Sequence, residues 1–207
     1  MLLNRLQTEK NIQCFLDREK VYFRLGYKKG KTELSQRMVV LIDNAFEEAG
    51  QAMTPAGVYL AREIEKKGKT ISVLGSEATL EGSSVSHLLK NAFAVLFLAV
   101  TIGPGLENKI AHYSKEKQFE QTLILDAIGS EEAEAAANAL NNHLLVLARQ
   151  AKLTLTRRFS PGYGDLPLQF QTQLYKELSL ATLGISIDDR FILRPKKTVT
   201  AILGIER

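Results

Sequence analysis

The stretch Ala94-Val95-Leu96-Phe97-Leu98-Ala99-Val100-Thr101-Ile102 decides the fold class. It is an almost unbroken apolar run that ends in Gly103-Pro104-Gly105. Nine residues are far fewer than the ~20 that a membrane-spanning helix needs. A short apolar run bounded by glycine and proline reads as a central strand with both faces buried.

Outward from this strand, the pattern changes repeatedly. Helix is predicted from Leu106 onward, and Leu123 to Ala148 carries a long Ala/Leu-rich helical pattern in which Gly129-Ser130 is expected to kink or split the helix. Leu153 to Arg157 alternates as a strand does, residues 159–167 form a Pro/Gly-rich loop, and a helix follows over Leu168 to Leu180 with Gly184 as its stop. Thr198 to Ile205 alternates again and places Val199, Ala201, Leu203 and Ile205 on one strand face.

Upstream, Leu34, Met38, Leu41, Ile42, Ala45 and Phe46 recur at helical steps, which predicts a helix over Glu33 to Ala49 with Thr32 as its cap and Gly50 at its end. Thr54-Pro55 predicts the start of a second helix that stops near Gly68. Ile71 to Leu74 and Glu77 to Leu80 read as short extended runs, and Ser84 to Asn91 as a short helix with Val85, Leu88 and Leu89 inward. Helices and strands mix without a βαβ rhythm, so the expected class is α+β with a largely antiparallel sheet whose strand order is not read. No repeat or linker divides the 207 residues; residues 1–207 are expected to form one domain, with 1–30 as an N-terminal arm.

Composition narrows the function classes. Apolar residues make up 45% and charged residues 24%, as in a folded globular chain. Aromatic content is modest and Trp is absent, which argues against a base-stacking surface, and a net charge of +4 is too small to indicate nucleic acid. Lys28, Lys29 and Lys31 form one basic group; Arg190, Arg194, Lys196, Lys197 and Arg207 form another, the first candidate for docking an acidic partner. Cys14 is the only cysteine, and His87, His112 and His143 lack metal-ligand spacing, so no disulfide, cluster or metal is expected. The N-terminus lacks the apolar core of a signal peptide, so a soluble, cytoplasmic protein without membrane contact is expected.

Chemistry is concentrated in Arg157 to Pro167, RRFSPGYGDLP. Pro161, Gly162 and Gly164 alternately fix and free the backbone, so N–H and C=O groups stand exposed at set positions. Arg158, at a strand end, carries a planar guanidinium able to hold a carboxylate by two hydrogen bonds, and Tyr163 adds a ring and a hydroxyl. On these features alone a rigid surface turn is the favoured reading. Thr101 to Gly105 lacks the Lys and Ser/Thr of a phosphate loop and reads as a tight strand-to-helix turn.

The motif RFSPGYG (158–164), together with Leu193 to Thr200 (LRPKKTVT), Ala99 to Gly103 and Leu125 to Ser130, resembles the activation domain of vitamin B12-dependent methionine synthase, and more closely its free-standing members. The resemblance runs from about residue 20 onward. It implies a twisted, largely antiparallel sheet flanked by helices. It implies that Arg158 holds the carboxylate of S-adenosylmethionine, that the backbone at Ser160, Pro161 and Gly162 contacts the nucleoside, and that Tyr163 lines the pocket. Glu134 is the acidic residue matched to the ligand's ammonium or sulfonium; a solvated helix carboxylate is the alternative. The sequence departs from the fused domains at Gly164 to Pro167, where those carry Cys-Pro and a nearby His, and at Ile202 and Leu203, where those carry aromatic residues.

The implied function is reactivation of a cobalamin-dependent methyltransferase, with methionine synthase first. In it, cob(II)alamin carried by the partner takes one electron from a donor such as flavodoxin, and the cob(I)alamin takes the methyl group of S-adenosylmethionine. This chain would supply position, and the sequence identifies no catalytic residue. Two alternatives stand beside it: service to a different corrinoid methyltransferase, and an S-adenosylmethionine-binding module that transfers nothing.

Overall fold

The computed structural model describes residues 3–28, 30–68 and 70–207. Its backbone is an antiparallel sheet built around β5 (Ala94–Thr101), the stretch read above as a doubly buried strand, and all eight of its residues are buried. On one side β5 pairs with β2 (Ala56–Lys67), on the other with β9 (Thr198–Glu206). The far edge of β2 is shared along its length by β1 (Gln7–Lys10) and β3 (Thr70–Val73), and β4 (Thr79–Glu81) continues outward from β3. The far edge of β9 carries β6 (Thr154–Leu155). A separate two-stranded ladder joins β7 (Ser186–Ile187) to β8 (Leu193–Arg194). The class is α+β with an antiparallel sheet flanked by helices, as the sequence led us to expect.

Alternation within the central strands divides the core. Val95, Phe97, Ala99 and Ile202 face one way, against α3 (Ser83–Leu88) and α6 (Gln171–Glu177). Leu96, Leu98, Val100, Leu203 and Ile205 face the other way, against α5 (Phe119–Gln150). Beyond α5 lies a third apolar layer made with α1 (Arg18–Arg24), α2 (Gln36–Ala52) and α4 (Gly105–Lys115).

α5 is the longest element, 32 residues or about 48 Å. Its alanine and leucine content favours helix with little side-chain entropy lost. It is not divided at Gly129-Ser130: Gly129 instead permits a close crossing, since a Cβ there would stand 2.7 Å from Leu106 Cδ2 on α4.

The helix expected from Thr54-Pro55 to Gly68 does not exist; that stretch is strand β2. The Thr54 N–H donates to the Ile102 carbonyl, which places the chain beside β5, and the residues then alternate between the two core layers. The Glu/Lys-rich second half resembles a helix surface, but Ile64 to Lys67 pairs with β3, and tertiary pairing overrides the local preference. Gly57, poor in helices, is required here because a Cβ would meet Leu140 of α5 and the Ala99 carbonyl at 2.9 and 3.0 Å. α2 starts later than the apolar spacing suggests. Ser35, not Thr32, caps it through the Met38 N–H, Thr32 instead accepts from the Lys28 N–H, and the helix continues through Gly50 to Ala52.

The turn at Thr101 to Gly105 is closed by packing. A Cβ on Gly105 would lie 2.2 Å from the Ala52 carbonyl oxygen, and Gly103 holds φ +77° against Thr54. Among the described residues no helix is long and apolar enough to cross a membrane.

Candidate functional site

The loop 157–167 begins with a break in strand register. Leu155 pairs with Ile205, whereas Phe159 pairs with Ile202, so one extra residue stands on this strand. Thr156 keeps its place, its N–H bonding the Gly204 carbonyl while its hydroxyl accepts the Gly204 N–H at 2.7 Å. Arg157 and Arg158 therefore stand together opposite Leu203. This is a β-bulge, a device that re-aims side chains at the end of a ladder. Phe159 is turned into the layer under α6, while both arginines line a hollow on the side of α5.

That hollow, about 340 Å³, is lined by Glu134, Arg157, Arg158, Phe159, Ser160 and Tyr163, with Val199. Four of the six residues matched by the resemblance, Glu134, Arg158, Ser160 and Tyr163, thus share one concavity. Pro161 and Gly162 do not line it. Pro161 is buried, and Gly162, at φ +88°, sends its N–H to the Leu166 carbonyl at 2.8 Å, which closes the loop on itself. Tyr163 stands open, 70% exposed.

Arg158 is largely covered, and its Nη2 donates to Asn138 Oδ1 at 2.7 Å and to Glu134 Oε2 at 3.4 Å. Both contacts come from α5, where residues 134 and 138 are one turn apart on one face. Both use the same nitrogen, so Nε and Nη1, on different edges of the guanidinium, retain donors for further single hydrogen bonds. The Glu134 carboxylate is half exposed and, among the described residues, paired only through this longer contact.

The residues that depart from the fused domains have structural work of their own. The Asp165 carboxylate accepts from the Ser84 N–H at 2.8 Å and the Ser83 hydroxyl at 2.9 Å, tying the loop to the first turn of α3. Those bonds, the Ser84 N–H first, hold its carboxyl below the usual range against the opposing effect of burial. Gly164, at φ +55°, fits against Phe159 and Ser84. Ile202 and Leu203 are both fully buried, one in each core layer, and neither lines the hollow.

A feature the sequence did not announce lies beside the hollow. The Cys14 thiol donates to Glu132 Oε1 at 2.9 Å, and Glu132 is almost wholly buried. Burial first, then the hydrogen bond and charge of Glu132, push the thiol up to about 12. The pair fastens the N-terminal segment to α5 two residues from Glu134.

The C-terminal basic group does not form one surface. Lys197 is nearly buried, and its ammonium donates to Asp126 Oδ1, the Asp126 carbonyl and Ser130 Oγ. Arg194 approaches Glu107 and Asp188. Arg207 lies over the Phe93 ring at the other end of β9. Of the N-terminal basic group, Lys28 and Lys31 are exposed, and Lys29 lies outside the described residues.

No protein-family model matches the sequence, and none of the curated proteins matches it. Among solved structures, the chain is similar to the MetH reactivation domain in a crystal structure bound to AdoHcy. The TM-score is 0.71 over 98% of this chain and 78% of that one, at 12% identity. At that identity the likeness establishes the fold.

Proposed function

We propose that this chain binds S-adenosylmethionine in the hollow between the 157–163 bulge and α5, and presents its methyl group to a corrinoid carried by a partner, with cobalamin-dependent methionine synthase as the first candidate. The observation that carries the reading is the convergence of Arg158, Ser160 and Tyr163 with Glu134, from a distant part of the chain, on one concavity. The fold likeness supports it, since the MetH reactivation domain was crystallised with AdoHcy.

The residues present suit an amino-acid end of a ligand. Nε or Nη1 of Arg158 can donate to a carboxylate while Asn138 keeps the guanidinium in place through Nη2. The Glu134 carboxylate is placed to favour an ammonium or sulfonium beside it. Tyr163, exposed at the mouth, can cover the ligand, and Ser160, which lines the hollow, can contact the nucleoside. A reduced corrinoid on the partner would supply the electron pair for the new bond to the methyl carbon, with the carbon–sulfur electrons left on S-adenosylhomocysteine. The electron that reduces the corrinoid comes from a separate donor such as flavodoxin. This chain contributes orientation, which lowers the entropic part of the barrier.

The test is calorimetric titration of S-adenosylmethionine into the wild-type chain and into Arg158→Ala. Binding that is lost in the variant is the expected result; no binding by wild type, alone or with a corrinoid-loaded methionine synthase, overturns the reading. Binding without loss of the methyl group, in the presence of reduced corrinoid protein, would select the transfer-free module instead.

A further inference from the structure

The bulge does more than turn Phe159. In a regular strand Arg157 and Arg158 would point to opposite faces of the sheet; here both line the same hollow. The backbone on either side of them is held. The Thr156 N–H donates to the Gly204 carbonyl at 3.0 Å and the Phe159 N–H to the Ile202 carbonyl at 2.9 Å. Their side chains are held differently. Arg158 is fixed by Asn138 and Glu134. The exposed Arg157 side chain has no hydrogen-bond, ion-pair or ring partner among the described residues.

This difference decides which arginine can take a carboxylate by two parallel bonds. A guanidinium offers such a fork along two edges, Nε with Nη2 and Nη1 with Nη2. Nη2 of Arg158 belongs to both edges and already donates to Asn138 and Glu134, so neither edge is open while these contacts stand. Arg158 therefore keeps single donors only. Both edges of Arg157 are free. The lining of the hollow holds one carboxylate, Glu134, against the two guanidinium groups. Glu134 approaches Arg158 at 3.4 Å, so the charge of Arg157 is the one left without a counterpart in the hollow.

We propose that Arg157 grips the carboxylate of S-adenosylmethionine through a two-bond fork, while Arg158, locked against α5, adds a single bond and fixes where that carboxylate lies. The inference rests on the function proposed above and adds the residue that selects the amino-acid end of the ligand. An unpaired guanidinium rooted in a fixed backbone can swing onto an arriving anion without first breaking an internal contact, and its planar donors match a carboxylate in pairs. Arg157 is thereby a specificity determinant. A ligand that keeps the nucleoside and the sulfonium but lacks the carboxylate gains nothing from it.

The experiment is calorimetric titration of the full chain with two probes, S-adenosylmethionine and its decarboxylated form, which differ by the carboxylate alone. The chains are the wild type, Arg157→Gln and Arg157→Lys, and thermal melting checks that each folds. The wild type is expected to prefer S-adenosylmethionine by ~tenfold or more. Arg157→Gln should weaken S-adenosylmethionine at least ~tenfold and bind the decarboxylated form within ~twofold of wild type, so that the preference falls to ~threefold or less. Arg157→Lys keeps the charge without the fork and should recover only part of the lost affinity. Equal weakening of both ligands, no change for either, or a wild type that binds both alike overturns the role of Arg157 and leaves the functional reading in place. Full affinity in Arg157→Lys overturns the fork. A wild type that binds neither ligand, alone or with a corrinoid-loaded methionine synthase, overturns the functional reading with it.

Discussion

Leu155 and Phe159 lie four residues apart on the same strand edge yet face opposite sides of the sheet, Leu155 toward α5 and Phe159 toward α6. An even spacing in a regular strand puts side chains on one face. The extra residue between the pairs Leu155–Ile205 and Phe159–Ile202 accounts for the inversion. Deleting Arg157 should restore regular alternation with Phe159 still opposite Ile202 and in its own layer, and should re-aim Arg158 relative to Asn138. Urea unfolding should therefore show most of the stability kept, while S-adenosylmethionine binding should weaken because the bulge no longer aims Arg158; unchanged binding would mean the bulge is incidental.

Arg158→Lys is expected to behave as a severe change. A lysine can replace one charge but not the planar group that reaches Asn138 with one nitrogen and keeps donors on the others for a ligand. Ligand affinity should fall at least tenfold, about 1.4 kcal/mol. Asn138→Ala should cost less, because the guanidinium keeps Glu134 as a partner. Calorimetry on the two variants gives the order, and the reverse order would assign Asn138 the larger part.

Asp165 links stability to acid. Its folded carboxyl titrates below the usual carboxylate range because the Ser84 N–H and Ser83 hydroxyl favour the charged form. A depressed folded value gives stability that is present above the unfolded value and lost as pH falls through the folded one. The melting temperature of the wild type should therefore decline below about pH 4 more steeply than that of Asp165→Asn. Parallel curves would show that this bond contributes nothing measurable.

Cys14 should be unreactive. With its thiol pushed up to about 12, alkylation by iodoacetamide at neutral pH should run at least ~100-fold slower than that of a free cysteine. Because the folded value lies above the ordinary 9.0, stability from the neutral thiol is complete below pH 9 and declines as pH rises toward 12. Glu132→Gln should speed the reaction only modestly, since burial is the larger cause. A rate equal to that of the unfolded chain would refute the contact.

Gly105→Ala should destabilise by at least ~2 kcal/mol, because the new Cβ would meet the Ala52 backbone and neither chain can yield freely. Denaturant titration provides the number, and a neutral outcome would mean that the crossing of α2 and α4 is looser than described.

The central strand, the long helix and the last strand were readable because each carries one uninterrupted period. β2 was not, because Thr54-Pro55 imitates a helix start and because Arg62 to Lys67 alternates charges with only Ile64 to mark a buried face. β1 escaped notice since Gln7 to Lys10 is polar throughout and is strand only through pairing with β2. At the site, the loop 158–164 announced itself by its glycines and proline, and Glu134 was located by resemblance. Asn138, the closest partner of Arg158, carried no local signal. The same holds for Cys14 and Glu132, which are 118 residues apart and become neighbours only when the N-terminal segment lies along α5. The basic C-terminal group looked like one patch because sequence proximity does not report that Lys197 turns inward.

Within eight positions α5 carries Glu131 toward Arg24, Glu132 toward Cys14, and Glu134 and Asn138 toward Arg158. Residues that serve different neighbours are thus fixed to one rod with no hinge between them. Such positions cannot drift independently over evolutionary time. Among descendants of this sequence, residue 14 should change together with 132, residue 24 with 131, and residue 158 with 134 or 138, while the phase of the helix between them is preserved. An insertion of a single residue into this part of α5 would rotate everything beyond it by about 100° and misalign the contacts on one side of the insertion, so length here should be more strictly inherited than identity.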